Sequence, residues 1–181
     1  MMKRLFFIGY MGAGKTTMGK ALSQELDLSF VDLDHFIEGR YHKTVRQLFV
    51  ERGEEEFREI EKNALHEVAQ FENIIISTGG GTPCFYDNMS VMNSVGVTVY
   101  LKASVEELIK RIELSKHTRP VLKDLSGWEL ERFVSESLME RSLQYEQAHI
   151  IFDAEIMETE KDITDLCMRL KEKVLSFGER C

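Results

Sequence analysis

Short apolar runs alternate with longer amphipathic stretches along the whole chain. The apolar runs are rich in β-branched and aromatic residues, which is typical of buried strands, and the longer stretches place apolar residues at helical spacing. Strands that are apolar throughout and separated by helices favour a parallel sheet covered on both faces. The pattern therefore predicts an α/β sandwich with right-handed crossovers. The predicted strands are Leu5–Ile8, Ser29–Val31, Ile74–Ile76, Val97–Leu101 and Ile150–Phe152.

Two Ser-x-x-Glu sequences stand before helical stretches, at Ser104–Glu107 and Ser126–Glu129. Each predicts a capping box, in which the serine caps the helix and the glutamate bonds back to it. Residues 33–70 show a helical pattern broken by Gly53, and residues 115–127 are mostly polar. We expect the first segment to be a helical insert beside a pocket and the second to be a flap. A plain surface connection is the alternative for each.

The length and charge of the chain narrow the possible functions. The 181 residues amount to a single domain, and the net charge is −8. An acidic chain of this kind is not expected to bind nucleic acid or anionic membranes broadly. No apolar run approaches the roughly 18 residues of a membrane span. Three widely spaced cysteines without a C-x-x-C pair argue against a disulfide framework or a zinc site, and they fit a reducing cytoplasm.

The segment Gly9–Thr16 matches the P-loop pattern G-x-x-x-x-G-K-[ST]. It directly follows the first predicted strand and opens a helical pattern over Lys15–Leu26, which is the context that a P-loop requires. Its glycines allow successive N–H groups to face a phosphate chain, and the helix N-terminus favours the negative charge. Lys15 would reach the β- and γ-phosphates of a nucleoside triphosphate, and the Thr16 hydroxyl would ligate Mg²⁺. A glycine-rich turn without a ligand is the alternative.

Further candidate residues follow the second and third predicted strands, at the edge where a parallel sheet binds ligands. Asp32 and Asp34 close the second strand. The two carboxylates are expected to point to opposite sides, so that one could serve the Mg²⁺ water shell and the other an acceptor. A helix N-cap is the alternative for the pair. Gly79–Gly81 follow the third strand and suit close approach of a ligand to the backbone, whereas an awkward turn is the alternative. Arg58, taken alone, fits a solvated helix face.

In combination, these segments resemble the shikimate kinase family, in order and spacing, over residues 4–150. The matching segments are Gly9–Thr17, Asp32-x-Asp34, Gly53-Glu-x-x-Phe57-Arg58-x-x-Glu61, Gly79–Gly81, Arg119-Pro120 and Arg141-x-x-x-Tyr145. The resemblance implies a three-layer P-loop kinase of the nucleoside-monophosphate-kinase type with a five-stranded parallel sheet. It also implies Mg²⁺-dependent transfer of the ATP γ-phosphoryl group to the 3-hydroxyl of shikimate, giving shikimate 3-phosphate for chorismate and aromatic amino acid biosynthesis.

The resemblance assigns roles by position. Lys15, Asp34 and Arg119 would be catalytic, Thr16 would hold Mg²⁺, and Asp32 would lie in the outer shell of the metal. ATP would bind Gly12, Ala13, Gly14, Lys15, Thr16, Thr17, the lid residue Arg119 and, at the adenine, Arg111. Shikimate would bind Asp34, Arg58, Gly80 and Arg141, with Gly79 and Gly81 beside them. The implied protein is a cytoplasmic monomer with a substrate-binding helical segment at about 33–61 and a lid at about 115–125.

General chemistry supports the same roles. A guanidinium binds a carboxylate through two parallel hydrogen bonds, so arginines suit the acid group of shikimate. A carboxylate such as Asp34 can orient the attacking hydroxyl and accept its proton. The chain departs from the family at Leu143, where many members have proline, and at Thr82-Pro83-Cys84 after the triple glycine. Cys84 is expected either to be an inert buried thiol or to line the acceptor pocket.

Two other functions remain open from the sequence. A different small-molecule P-loop kinase would act on gluconate or on a nucleotide, but a nucleotide acceptor would want more cations around a second phosphate. A nucleotide-dependent switch without catalysis would not need Asp34, Arg58 and Arg141 together. A coupled assay with ATP and a panel of acceptors separates the three.

Overall fold

One five-stranded parallel sheet organises the molecule. The computed structural model describes residues 4–114 and 127–179. The strands are β1 (Arg4–Ile8), β2 (Ser29–Asp32), β3 (Ile74–Ser77), β4 (Val97–Lys102) and β5 (Ile150–Asp153). The helices are α1 (Lys15–Leu26), α2 (Leu33–Tyr41), α3 (Val45–Val68), α4 (Asn88–Val95), α5 (Val105–Leu114), α6 (Trp128–Tyr145) and α7 (Glu160–Gly178), with a 3₁₀ turn at Thr82–Cys84. The strand order is β2-β3-β1-β4-β5, and every neighbouring pair is parallel.

Helices cover both faces of this sheet. Residues 5–8 of the central strand β1 are completely buried, as an apolar strand between two helical layers must be. Helix α1 packs against α7 on one face. The chain moves across the sheet in one direction from β1 to β2 and in the opposite direction in each later connection between strands. Because crossovers are right-handed, the helices of those later connections lie on the other face. The predicted three-layer α/β fold is confirmed.

Each strand is one residue longer than its apolar run. The hydrogen-bonded ladder continues to a polar pair at the end of the sheet, with Asp32 opposite Ser77 and Lys102 opposite Asp153. A run of apolar residues marks only the buried part of a strand, whereas the backbone hydrogen bonds continue into residues with polar side chains.

The strand order gathers the sequence motifs at one edge. β1 lies between β3 and β4, and β2 lies beside β3. The P-loop after β1, Asp32 at the end of β2 and the glycines after β3 therefore meet outside the carboxyl ends of adjacent strands, where open α/β sheets bind ligands.

One of the two predicted capping boxes forms only in part. The Glu107 N–H donates to Ser104 Oγ at 3.2 Å, as predicted. The Ser104 N–H, however, donates to Glu155 at 2.8 Å, while the Glu107 carboxylate pairs with Arg111. The prediction is wrong in this second half because two long-range partners compete successfully for the local groups.

The second predicted box rests on Ser126, which lies outside the described residues, and it stays a prediction. In the described part of the chain, helix α6 begins at Trp128 with Gly127 as its N-cap. Complete capping boxes instead start α3 at Thr44 and α7 at Thr159.

The strand-free helical segment is confirmed, with α3 interrupted at Gly53. This glycine has φ 81° and ψ 171°, a conformation that other residues rarely adopt. The break separates an N-terminal part, whose residues 45–47, 50 and 51 line the main cavity, from a C-terminal part that carries Arg58 and Glu61. No helix among the described residues has the length and apolar character needed to span a bilayer.

Candidate active site

A cavity of about 1150 Å³ lies at the edge where the motifs meet. Predicted site residues that line it are Gly12, Gly14, Lys15, Thr16, Thr17, Asp32, Asp34, Gly79, Gly80 and Arg111. Ala13, Arg58, Gly81 and Arg141 are not among its lining residues. Ala13 is a buried residue of the P-loop itself. Gly81 follows the lining residue Gly80, which Arg141 approaches, and Arg58 approaches Gly81. Arg119 and the proposed lid at 115–125 lie outside the described residues.

The P-loop presents an ammonium group at the start of α1. The helix begins at Lys15 with Gly14 as N-cap, and no side chain of the described residues caps it. The N-terminus of a helix favours an anionic ligand. Lys15 Nζ donates to the carbonyl oxygens of Gly9 (2.8 Å) and Tyr10 (2.9 Å), which hold the buried ammonium on the loop itself.

Asp32 joins the P-loop to α2. One carboxylate oxygen accepts a 2.6 Å hydrogen bond from the Thr16 hydroxyl. The other accepts from the N–H groups of Asp34 (3.1 Å) and His35 (3.4 Å), so that Asp32 is also the N-cap of α2. Two hard oxygen donors at one point fit Mg²⁺, which prefers hydroxyl, carboxylate and water oxygens. The functional and capping interpretations of Asp32 are thus compatible.

Asp34 does not close the second strand, and that part of the prediction is wrong. The strand ends at Asp32 because the aspartate starts a helix, which places Asp34 in the first turn of α2. The two carboxylates nevertheless face different partners. Asp32 faces Thr16, whereas Asp34 Oδ1 lies 3.1 Å from the position of a Cβ atom added at Gly79.

Burial is the main reason that the Asp34 carboxyl holds its proton unusually tightly. Together with the negative charges of Asp32 and Glu61 it raises the pKa of Asp34 to about 6, against a smaller opposing effect of Lys15. A carboxyl group with this pKa is largely ionised at neutral pH and is still a competent proton acceptor. Its environment is therefore suited to general-base chemistry.

The glycine turn Gly79–Gly81 brings Arg58 to the same place as Asp34. A Cβ atom added at Gly81 would lie 2.9 Å from both terminal nitrogens of Arg58, which leaves no room for a side chain there. A Cβ atom at Gly79 would lie 3.0 Å from Glu61 Oε1. The absence of side chains at the turn allows these three charged groups to converge.

Glu61 is a residue whose structural role sequence reasoning missed. Its carboxylate is buried, accepts from Arg58 Nη1 at 3.0 Å and accepts from the Thr82 hydroxyl at 2.6 Å. Glu54 accepts from Arg58 Nη2 at 3.2 Å. The spacing of three residues from Arg58 is the helical signal that predicts the first ion pair. The contact with Thr82 has no local signal.

Arg141 approaches the glycine turn from α6. A Cβ atom added at Gly80 would lie 3.7 Å from Arg141 Nη1, and the guanidinium carbon lies 5.6 Å from the centre of the Tyr10 ring. Within residues 4–114 and 127–179, no carboxylate pairs with Arg141. A half-buried cation without a counter-ion is well suited to bind an anionic ligand.

Tyr145 fixes the backbone beside Arg141. Its hydroxyl donates to the carbonyl oxygen of Gly80 at 2.5 Å, and burial raises the pKa of the phenol above its usual range. Tyr145 therefore stays protonated and acts as a hydrogen-bond donor to the glycine turn. Tyr145 lies four residues after Arg141, so the two side chains share one face of α6.

Arg111 lines the cavity near Gly12 of the P-loop. Its nitrogens donate to the Glu107 carboxylate (2.7 Å) and to the carbonyl oxygens of Ala154 (2.7 Å) and Glu155 (2.8 Å). These bonds, with a longer one of 3.4 Å from Nη1 to the carbonyl oxygen of Gly12, hold the guanidinium at the P-loop. A role at adenine remains a prediction from the sequence.

Cys84 ends the 3₁₀ turn that follows the glycines. It is half-buried, and burial raises the pKa of its thiol while the nearby charges of Arg141 and Arg58 oppose that effect. The thiol is therefore close to Arg58 and Arg141, but it does not line the main cavity.

Comparison with known proteins identifies close relatives. A family model described as shikimate kinase matches residues 11–171. A shikimate kinase of Parabacteroides distasonis is 66% identical over 165 residues, which cover 91% of this chain and 95% of the relative. A shikimate kinase of Phocaeicola vulgatus is 50% identical over 173 residues, covering 96% and 99% of the two chains.

Solved structures agree with the sequence matches. A crystal structure of shikimate kinase from Bacteroides thetaiotaomicron superposes with a TM-score of 0.94 at 50% identity, covering 97% of this chain and 99% of that one. A shikimate kinase from Acinetobacter baumannii in complex with shikimate gives 0.84 at 31% identity, covering 97% and 94%. A deoxyadenosine kinase from M. mycoides with bound dCTP gives 0.58 at 18% identity over 94% and 100%, a likeness of fold alone.

Proposed function

The chain belongs to the shikimate kinase family of ATP-dependent kinases, and from this premise we propose which of its residues move the γ-phosphoryl group of ATP to the 3-hydroxyl of shikimate. One observation carries the proposal. Asp34, Arg58 and Arg141 converge on the glycine turn Gly79–Gly81, and Asp34 and the turn line the same cavity as the P-loop.

The P-loop binds the triphosphate. The N–H groups of residues 12–17 and the Lys15 ammonium meet its oxygens, and Lys15 exchanges the carbonyl oxygens of Gly9 and Tyr10 for phosphate. Arg111, by its position in the sequence, contacts the adenine. Arg119, by its position in the sequence, adds a further positive charge at the transferring group.

Thr16 and Asp32, whose hydroxyl and carboxylate oxygens meet at 2.6 Å, would hold Mg²⁺. When bound, the metal neutralises negative charge on the β- and γ-phosphates. Asp32 also fixes the start of α2, so the residue that serves the metal also determines where Asp34 lies.

The acceptor carboxylate binds the two arginines. Arg58 Nε is buried and has no hydrogen-bond partner among the described residues, and Arg141 has no counter-ion there. A carboxylate between them satisfies both groups, since an unpaired buried donor costs free energy. The N–H groups and open backbone of the glycine turn accommodate the ring of the acceptor.

Asp34 orients the 3-hydroxyl and accepts its proton. The hydroxyl oxygen forms the new bond to the γ-phosphorus, the bond from that phosphorus to the β,γ-bridging oxygen breaks, and ADP leaves with the electron pair. The hydroxyl proton moves to the Asp34 carboxylate, whose raised pKa favours that acceptance. Positioning and charge neutralisation supply the remainder of the catalysis.

The assay that tests this function measures ADP release with ATP, Mg²⁺ and one acceptor at a time. Shikimate, gluconate, AMP and no acceptor form the panel. We expect release with shikimate to exceed every other rate by orders of magnitude. Preference for gluconate or AMP would replace the acceptor assignment, and equal rates in all four would identify a nucleotide hydrolase or switch.

We further infer a cytoplasmic monomer that binds neither nucleic acid nor membranes. The net charge of −8 supports the absence of those partners. Sedimentation equilibrium of the purified protein tests the oligomeric state, with a mass of 21.0 kDa expected.

A further inference from the structure

Phe85 is a half-buried aromatic residue whose ring contacts the guanidinium of Arg58. It directly follows the 3₁₀ turn Thr82–Cys84. It belongs neither to the buried core nor to the partly buried apolar residues that pack on the core. Instead, its ring centre lies 4.0 Å from the guanidinium carbon of Arg58. The position of this ring therefore needs an explanation other than core packing.

Two other aromatic rings lie near Arg58, but neither is as close. The ring centres of Phe49 and Phe57 lie 5.2 and 5.5 Å from the guanidinium carbon. Both of those residues belong to the apolar core or pack against it. Cation–π attraction acts within about 6 Å of a ring and strengthens when the cation is desolvated. The Arg58 side chain is only 11% exposed, so the 4.0 Å contact is in the favourable regime.

The ion pairs of Arg58 do not fix its orientation by themselves. Glu54 is 61% exposed, and a surface ion pair of this kind contributes little. Glu61 is buried but takes a single hydrogen bond from Nη1. A third carboxylate would hold the guanidinium more firmly, yet it would repel an anionic acceptor. An aromatic ring holds the plane of the cation and adds no negative charge.

We propose that Phe85 is a positioning residue for the acceptor carboxylate. Its ring covers the guanidinium of Arg58 and fixes the plane in which the remaining N–H groups, that of Nε included, meet the acid group of the substrate. Gly81 completes the arrangement, because a Cβ atom there would displace the same guanidinium. The inference rests on the proposed role of Arg58, and it gives the Thr82–Phe85 segment a function in acceptor recognition.

The test compares steady-state constants of Phe85→Leu with those of the native enzyme. We expect KM for shikimate to rise roughly 3- to 30-fold, the range that loss of a cation–π contact gives. The kcat value and KM for ATP should change less than about twofold, because Phe85 acts on ground-state binding of one substrate. Phe85→Trp should keep KM for shikimate close to the native value, since tryptophan gives the strongest cation–π attraction.

Tyr86 provides a matched control. It is the next residue, is 53% exposed, and has its ring 4.9 Å from Lys62 Nζ. Tyr86→Leu also removes an aromatic ring near a cation, but at a distance from Arg58, and should leave all constants unchanged. A rise in KM for shikimate in both variants would indicate general loosening of this segment and overturn the proposal.

A second variant keeps the shape of the ring. Pentafluorophenylalanine at position 85 retains the aromatic outline but removes the negative ring face. We expect it to raise KM for shikimate as Phe85→Leu does, and it answers the question even where the leucine variant does not fold. A native KM in a folded pentafluoro variant would overturn the proposal.

Arg58→Ala distinguishes a failure of this inference from a failure of the proposed function. If that variant raises KM for shikimate while both Phe85 variants do not, only the role of Phe85 is wrong. If Arg58→Ala leaves KM unchanged, the carboxylate assignment on which the inference rests is wrong. Shikimate methyl ester adds a further readout, because its uncharged group should be bound equally by native enzyme and Phe85→Leu.

Discussion

At the scale of single residues, the ionisation of Asp34 connects substrate turnover to pH. Its pKa of about 6 comes mainly from burial and from the neighbouring charges of Asp32 and Glu61. In the proposed function the ionised form accepts the hydroxyl proton. The same group would therefore set the acid limit of activity, and its raised pKa affects folding stability.

We predict that kcat/KM for shikimate falls below about pH 6 with the apparent pKa of Asp34. Asp34→Asn should lower turnover by roughly 10²- to 10⁴-fold, the usual range for loss of a general base, and should remove that acid limb. Affinity for ATP should barely change. A variant that loses ATP affinity but keeps shikimate affinity would mean that Asp32 and Asp34 have exchanged roles.

Asp34→Asn should also stabilise the fold at neutral pH. A raised pKa means that the folded state binds the proton more tightly than the unfolded state, whose value is 3.8. In the native protein, the stabilisation that the bound proton gives is fully present below pH 3.8 and is lost as the pH rises through about 6. Urea unfolding at about pH 7.5 should therefore show the variant more stable by at most about 3 kcal/mol. The difference should vanish near about pH 3, below the unfolded-state pKa, and an equal difference at both pH values would exclude ionisation as its cause.

At the scale of secondary-structure elements, the break in α3 separates a cavity wall from the helical turn that carries Arg58. Gly53 turns the chain between the part that faces the P-loop cavity and the part that presents Arg58. Open space surrounds the position of its missing Cβ atom, so the constraint is the backbone conformation rather than crowding.

We predict that Gly53→Ala destabilises the protein by about 1–3 kcal/mol, because alanine at φ 81° is strained. Gly39→Ala is the matched control. Gly39 lies inside α2 with open space around it, so alanine there should stabilise by up to about 1 kcal/mol. Chemical denaturation measures both values. Equal effects of the two substitutions would mean that the break carries no strain-sensitive conformation.

Sequence pattern predicts the elements better than the contacts between them. The bounds Lys15–Leu26 of α1 follow from a local motif and periodicity, and the structure reproduces them. The capping prediction at Ser104 is wrong in part because Glu155, 51 residues away, takes the Ser104 N–H. The bond from Tyr145 to Gly80 and the ring of Phe85 on Arg58 likewise depend on the folded topology. No local periodicity contains that information.

At the scale of the whole molecule, the cavity has two chemically different ends. In the proposed function Lys15 and Arg111 serve the nucleotide, whereas Asp34, which lines the cavity, serves the acceptor together with Arg58 and Arg141 at the adjoining glycine turn. A mutation in one of these two groups should therefore weaken the binding of one ligand and leave the binding of the other unchanged, while the variant keeps the fold.

We predict this separation in thermal denaturation. At about 100 times Kd a ligand adds about 2.7 kcal/mol, which raises Tm by roughly 5–10 °C for a chain of this size. Lys15→Met should lose most of the shift with ATP and retain the shift with shikimate. Arg141→Ala should do the reverse. Loss of both shifts in either variant would contradict two independent ends.

The most direct test of the central claim is ³¹P NMR of the reaction of the purified protein with ATP, Mg²⁺ and shikimate. Transfer to the acceptor predicts a new phosphate monoester resonance, coupled to the proton on carbon 3 of shikimate, that grows in step with ADP. Lys15→Met under the same conditions should give almost none. Release of ADP with inorganic phosphate alone, or no reaction by a folded protein, would contradict the account.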